Sequence, residues 1–162
     1  MEITKILAEH YPIIAAIYLQ GIATGNATFQ TEAPDWEDWD NSHISHSRIA
    51  VIVNKMIAGW AALTPVSNRC VYAGVAEVSV YVGSGYRGKG LGKILLEELI
   101  KESEKNNLWT LQSGILPENT ASIKLHEQCG FRKIGYREKI GNMNGVWRDN
   151  IVMERRSKTV GI

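Results

Sequence analysis

Val78–Lys101 reads VSVYVGSGYRGKGLGKILLEELIK, and the rest of the chain is organised around it. Val78, Val80 and Val82 alternate with Ser79 and Tyr81, and β-branched residues at period two predict a strand. From Leu91, apolar residues recur at Ile94, Leu95, Leu99 and Ile100, the spacing of one buried helix face. Between strand and helix lies a turn with glycine at 83, 85, 88, 90 and 92, interleaved with Arg87 and Lys89. The first N–H groups of a helix have no intrahelical acceptor and sit at the positive end of its dipole, which makes them an anion site. Glycine admits φ > 0 and lets an anion approach the backbone without meeting a Cβ. The stretch predicts a cradle for a diphosphate. It is not a Walker loop, because no Gly-Lys pair is followed by Ser or Thr, and Gly88, Gly90 and Gly92 are not spaced as GxGxxG.

The whole chain has 162 residues, enough for one domain that buries about 68–70% of its unfolded surface. A hydrophobic content of 44% with 22% charged residues is that of a globular protein. The formal net charge of +1 lends no support to a nucleic-acid partner. Cys70 and Cys129 read as thiols in a reducing compartment rather than as a disulfide framework. No apolar run reaches about 18 residues, and MEITKILAEH lacks the basic start and long apolar stretch of a signal peptide. A cytoplasmic setting with no membrane partner is expected.

Residues 1–156 are expected to form the single domain and 157–162 a mobile tail. A short strand over Ile3–Leu7 precedes an amphipathic helix from Glu9 to about Thr24, with Ile13, Ile14, Ile17 and Ile22 on it. Residues 26–31 read as a loop or short strand, and Pro34–Trp39 as a helix start. Arg48–Val53 and Met56–Leu63 are strands joined at Asn54-Lys55, a hairpin junction. Val71–Val82 reads as one long strand with Gly74 inside it, and the helix from Leu91 runs to about Asn107. Then follow a strand over 109–116, a helix from Asn119 or Thr120 to about Cys129 ended by Gly130, a strand over Phe131–Ile140, a turn over Gly141–Gly145 and a last strand from Val146. Helices between strands of a mixed sheet predict an α/β (α+β) class.

R-x-x-G-x-G after a valine-rich strand resembles the acetyl-CoA loop of the GCN5-related N-acetyltransferases. Asn119–Phe131 (NTASIKLHEQCGF) is similar to that family's second signature, N-x-x-S-x-x-L-(H/Y)-x-x-x-G-F, and the element order matches over nearly the whole chain. A narrower resemblance is to the phosphinothricin and methionine sulfoximine N-acetyltransferases. It is carried by Arg69-x-x-Tyr72-x-x-x-x-Glu77-x-Ser79-Val80-Tyr81-Val82, by Phe29-Gln30-Thr31-Glu32 and by Gly145-x-Trp147-x-Asp149, and His126 falls where that group has a histidine.

The resemblance implies acetyl-CoA as cosubstrate, no metal, a small-molecule amine acceptor and a homodimer. It implies coenzyme contacts from Val80, Tyr81, Val82, Arg87, Gly88, Lys89, Gly90, Leu91, Gly92, Lys93, Asn119 and Ser122, and acceptor contacts from Phe29, Arg69, Tyr72, Gly74 and Glu77. Acetyl transfer to an amine needs a proton acceptor, because amines with a pKa of 8 or above are mostly protonated at neutral pH. Glu77 is the leading base, since a carboxylate in a valine-rich strand is costly to bury unpartnered; pairing with Arg69 or an exposed edge position is its structural alternative. His126 is a second candidate, holding water for Glu77. A main-chain N–H of Val80–Val82 is expected to polarise the thioester carbonyl. Tyr136 is a candidate acid for the departing thiolate, in competition with Tyr81, Tyr86 and Tyr72. Arg69 with Tyr72 suits a carboxylate or phosphinate on the acceptor. The alternatives are an acetyltransferase for protein N-termini or polyamines, and a non-catalytic acyl-CoA sensor.

Overall fold

Side-chain alternation decides which face of each strand is buried, and helices cover both faces. The computed structural model describes Met1–Ile162 throughout. In chain order the elements are β1 (Glu2–Lys5), α1 (Tyr11–Ala23), α2 (Trp36–Ser42), β2 (Ile49–Val53), β3 (Met56–Pro65), β4 (Val75–Val82), α3 (Leu91–Lys105), β5 (Thr110–Ile115), α4 (Thr120–Gln128), β6 (Arg132–Met143) and β7 (Val146–Arg156). They build one sheet of order β1-β2-β3-β4-β5-β7-β6. Neighbours are antiparallel except β4 and β5. That parallel pair is short, holding only Val75–Glu77 against Thr110–Gln112.

Val78, Leu111 and Met153 point to one side and pack with Leu95, Leu96 and Leu99 of α3. Each of those three leucines is fully buried, so truncation to Ala costs about 2–5 kcal/mol. The opposite face carries α1 and α2, where Ile14, Ile17 and Trp39 meet Trp60 of β3. Gly21 of α1 lies against the Tyr81 ring, where an added Cβ would come within 2.8 Å. That glycine sets how closely α1 approaches β4.

The Asn54-Lys55 junction is a two-residue hairpin with both residues left-handed (φ 50° and 64°), the twist a tight antiparallel turn requires. Elsewhere the structure corrects the expected boundaries. The strand expected from Val71 starts at Val75; Cys70–Tyr72 is a 3-10 turn. Gly74 explains the break: the Trp109 indole occupies the space of a Cβ, at 2.0 Å, and Gly74 O accepts from Trp109 N and Thr110 N. α2 is capped by Asp35, whose Oδ1 accepts from Asp38 N at 2.9 Å, so Pro34 lies outside the helix. β6 runs through the turn expected over Gly141–Gly145; its pairing with β7 carries two register shifts, and the chain reverses only at Asn144-Gly145.

The tail expected to be mobile is tied down. Ser157 is buried, its N donates to Trp109 O and its Oγ donates to Glu104. Arg156 donates to Val160 O and Gly161 O at 2.8 and 2.6 Å. No helix is long and apolar enough to cross a membrane.

Candidate active site

Beyond Glu77 and Gln112 the two parallel strands part, and the gap leaves main-chain groups of β4 without a neighbour on that side. Gly83 N donates to Ala58 O at 2.8 Å. Alternation along an antiparallel ladder then directs Tyr81 and Ser79 toward β3, and the main-chain groups of Val80 and Val82 toward the gap. The N–H groups of these two residues face a cleft of about 1040 Å³ that Glu77, Tyr81, Asn119 and His126 also line.

One end of the cleft is the glycine turn. Arg87 lines it and is braced by bonds from its guanidinium to Val82 O and Gln20 O. Gly88 and Gly90 are left-handed (φ 76° and 78°), and nothing lies within 4 Å where their Cβ atoms would stand. Gly90 N-caps α3 with no side-chain cap, and the first intrahelical bond there is Ile94 N to Gly90 O. The N–H groups of Leu91, Gly92 and Lys93 are therefore bare donors at the positive helix end. Such a turn fits a diphosphate. Gly92 has a packing duty as well, since a Cβ there would meet Leu125 at 3.1 Å.

Across the gap, Asn119 starts α4. Its Oδ1 accepts from Ser122 N at 3.2 Å, which leaves its amide N–H₂ to donate into the cleft. His126 is buried one turn beyond Ser122, edge-on to the Phe131 ring. Its Nδ1 lies 2.7 Å from Ser122 O; a carbonyl can only accept, so Nδ1 carries the proton. Nε2 is left as a buried acceptor with no partner in the chain. Burial pushes the imidazole pKa below its usual value and outweighs the opposing bond to Ser122, so the ring is neutral at pH 7.

Glu77 stands at the other edge of the cleft, on the face turned away from α3. It is exposed, and it does not pair with Arg69 as the sequence reading allowed. Its Oε2 accepts from Gln112 Nε2 at 3.3 Å. Gln112 was missed in the sequence: the alternation Leu111, Ser113, Ile115 turns it outward, but only the β4–β5 register sets it opposite Glu77.

Other expected residues lie elsewhere. Tyr72 ends the 3-10 turn before β4 and Arg69 is its N-cap; both line a second pocket of about 590 Å³ with Trp109 and Arg156. That pocket opens on the same sheet face, one rung beyond Glu77, because Val75 and Thr110 pair in its floor. Gln112 also lines it, so the Glu77–Gln112 pair forms the ridge between the two. Gly74 touches neither pocket, being covered by Trp109. Tyr136 is exposed on β6, outside the cleft, and its hydroxyl donates to Asp149. Trp147 is also exposed. Phe29 lines the cleft on the α1–α2 loop, its ring seated against Gly141.

Residues 9–131 match the sequence profile of the acetyltransferase (GNAT) family. Among individual relatives, YwnH of Bacillus subtilis, named as a candidate phosphinothricin acetyltransferase, is 33% identical over 92% of this chain and 96% of its own length. The phosphinothricin N-acetyltransferase of Alcaligenes faecalis is 31% identical over 91% of this chain and 78% of its own. Of solved structures, yncA of Salmonella typhimurium with its cofactor acetyl-CoA superposes with a TM-score of 0.87 at 25% identity, over 96% of this chain and 93% of that one.

Proposed function

The chain belongs to the acetyltransferase (GNAT) family, and from that membership we propose that it transfers the acetyl group of acetyl-CoA to the amine of a small amino acid of the phosphinothricin or methionine sulfoximine type. The observation that carries this reading is the parting of β4 and β5 directly after Glu77, which sets unpaired main-chain donors and a carboxylate on one strand. The substrate class rests on the relatives, several of which are named for phosphinothricin or methionine sulfoximine acetylation.

In this reading the N–H groups of Leu91, Gly92 and Lys93, with Arg87 and Lys89, hold the diphosphate, while the β4 main chain and the Asn119 amide hold the pantetheine arm. Acetyl-CoA supplies an acetyl group activated as a thioester. Val80 N–H donates to the thioester oxygen as negative charge builds on it. As the amine nitrogen bonds to the acetyl carbon and the C–S bond breaks, Glu77 takes the amine proton, directly or through water, and coenzyme A leaves as the thiolate; Gln112 holds the Glu77 carboxylate. His126 Nε2 accepts a hydrogen bond from that water, the one partner its buried lone pair lacks. The acceptor lies across the ridge, its amine over Glu77 and its anionic group toward Arg69 and Tyr72 in the second pocket. A homodimer is part of the proposal: Ile134, Tyr136, Ile140, Val146 and Trp147 leave an exposed apolar surface on the β6–β7 hairpin, and sedimentation velocity tests it.

The deciding experiment is an acceptor screen that follows release of free thiol, with phosphinothricin, methionine sulfoximine, plain amino acids, polyamines and an alanyl peptide. Wild type is expected to acetylate the first two. Arg69→Ala is expected to raise their KM about ten-fold, the worth of one charge-assisted contact, with acetyl-CoA affinity unchanged. Turnover only with the peptide or polyamines overturns the substrate class, and no turnover with any acceptor overturns the transferase reading.

A further inference from the structure

The cleft's outer wall is the α1–α2 loop, residues 24–35, which has no helix or strand of its own. A wall of that kind holds its shape only where other elements grip it. Two grips come from the β6–β7 hairpin, far away in sequence. Arg148 of β7 donates to Gly25 O at 3.0 Å and to Asn26 Oδ1 at 2.7 Å. Its guanidinium also donates to Glu118 Oε2 at 3.2 Å, beside the Asn119 cap, and to Met143 Sδ at 3.6 Å. The side chain is only 17% exposed, so these bonds are partly shielded from water. The second grip is Gly141, where a Cβ would come within 2.5 Å of the Phe29 ring. Gly141 has no left-handed backbone to account for it; the missing side chain is what admits the ring.

Gly141 and Arg148 are cross-strand partners in the β6–β7 register. One rung of the hairpin therefore supplies both grips, a slot for Phe29 and a fork for the Gly25 carbonyl and the Asn26 side chain just before it. The same fork reaches the start of α4. Arg148 joins the acceptor wall to the side of the cleft that carries Asn119 and His126.

We infer that Arg148 is a positioning residue for acetyl transfer: with Gly141 it sets the α1–α2 loop as the acceptor wall and ties that wall to α4. The inference rests on the acceptor site proposed above. It predicts that Arg148 acts on acceptor binding and not on the coenzyme. A planar fork serving three oxygen acceptors and one sulfur is not replaced by an ammonium, so Arg148→Lys restores part of the function lost in Arg148→Met and not all of it.

The test has two independent readouts. Hydrogen–deuterium exchange compares amide protection of residues 24–31 in wild type, Arg148→Met and Arg148→Lys, whether or not transfer is detected. Steady-state kinetics with the best acceptor from the screen gives KM and kcat separately, and calorimetry gives acetyl-CoA affinity. Arg148→Met is expected to lose protection in that loop and to raise acceptor KM about ten-fold, with unchanged coenzyme affinity and Arg148→Lys intermediate. Asn26→Ala removes one grip from the loop side without touching the sheet, and keeps the test sound if Arg148→Met folds poorly. Combined with Arg148→Lys it is expected to add less than its separate effect. Unchanged loop protection overturns the inference even if no acceptor is ever found. A loosened loop with unchanged acceptor KM overturns it too, and leaves the transferase reading standing.

Discussion

The two ends of the cleft are built by different means. The proposed coenzyme end is one unbroken run of chain, β4, the glycine turn and α3, and the groups it offers are main-chain N–H donors at the start of α3. The proposed acceptor end is assembled from side chains on the α1–α2 loop, the turn before β4, β5 and the distant hairpin, with Gln112 against Glu77 and Arg148 against Gly25 and Asn26. Backbone donors at a helix start are shared by any chain with that turn, whereas a side-chain wall can be refitted residue by residue. The first end suits a constant coenzyme and the second a variable acceptor.

That contrast breaks most visibly at Glu77. Glu77→Gln keeps the bond to Gln112 in reach but removes the proton acceptor; kcat is expected to fall about 10²–10⁴-fold with acetyl-CoA affinity unchanged. The loss is expected to shrink at high pH, where the amine arrives already deprotonated. A kcat equal to wild type at neutral pH removes Glu77 from the chemistry. Next in size is Gly90→Val, aimed at the other end. It forces a β-branched residue to φ near 78° and sets a side chain where nothing now stands, so calorimetry is expected to show acetyl-CoA binding about 10–100-fold weaker. Unchanged affinity places the diphosphate elsewhere.

The smallest effect sharpens the comparison through pH. His43, His46 and His126 all have their pKa lowered, burial being the largest cause in each. A folded-state value below the unfolded one means the unfolded chain takes up protons first as pH falls. Stability is therefore complete above about 6.5 and drains as pH drops below it. The melting temperature is expected to fall by a few degrees between about pH 7 and pH 5.5. His126→Asn is expected to flatten that slope, and a slope identical to wild type removes His126 from the effect.

The same division explains what could be read before any coordinates. The run of β4, glycine turn and α3 was legible because its signal is contiguous: alternating valines, glycines at a turn and a helical stripe in a single window. The Asn54-Lys55 hairpin was legible for the same reason. Arg69 and Tyr72 were placed by analogy with one long strand, but Gly74 under Trp109 ends that strand early and turns both toward a second pocket. Nothing within residues 69–77 announces Trp109. Tyr136 failed likewise, since the register of β6 against β7 hands its hydroxyl to Asp149. Gln112 and Arg148 are ordinary polar positions in their own strands, and they acquire roles only from neighbours set by sheet order. The tail looked loose because its anchor, Glu104, belongs to α3.

The three rungs between Val75–Glu77 and Thr110–Gln112 carry a mechanical consequence. They are the only stitching, within the sheet, between a four-strand block and a three-strand block, so they form a fault line through the middle of the protein. Thermal breathing along it would widen the very opening that, in the proposed function, a long, thin cosubstrate threads. A molecule lodged across such a joint acts as a rivet, and a protein of this design should gain stiffness, along with resistance to pulling its two halves apart, each time it loads.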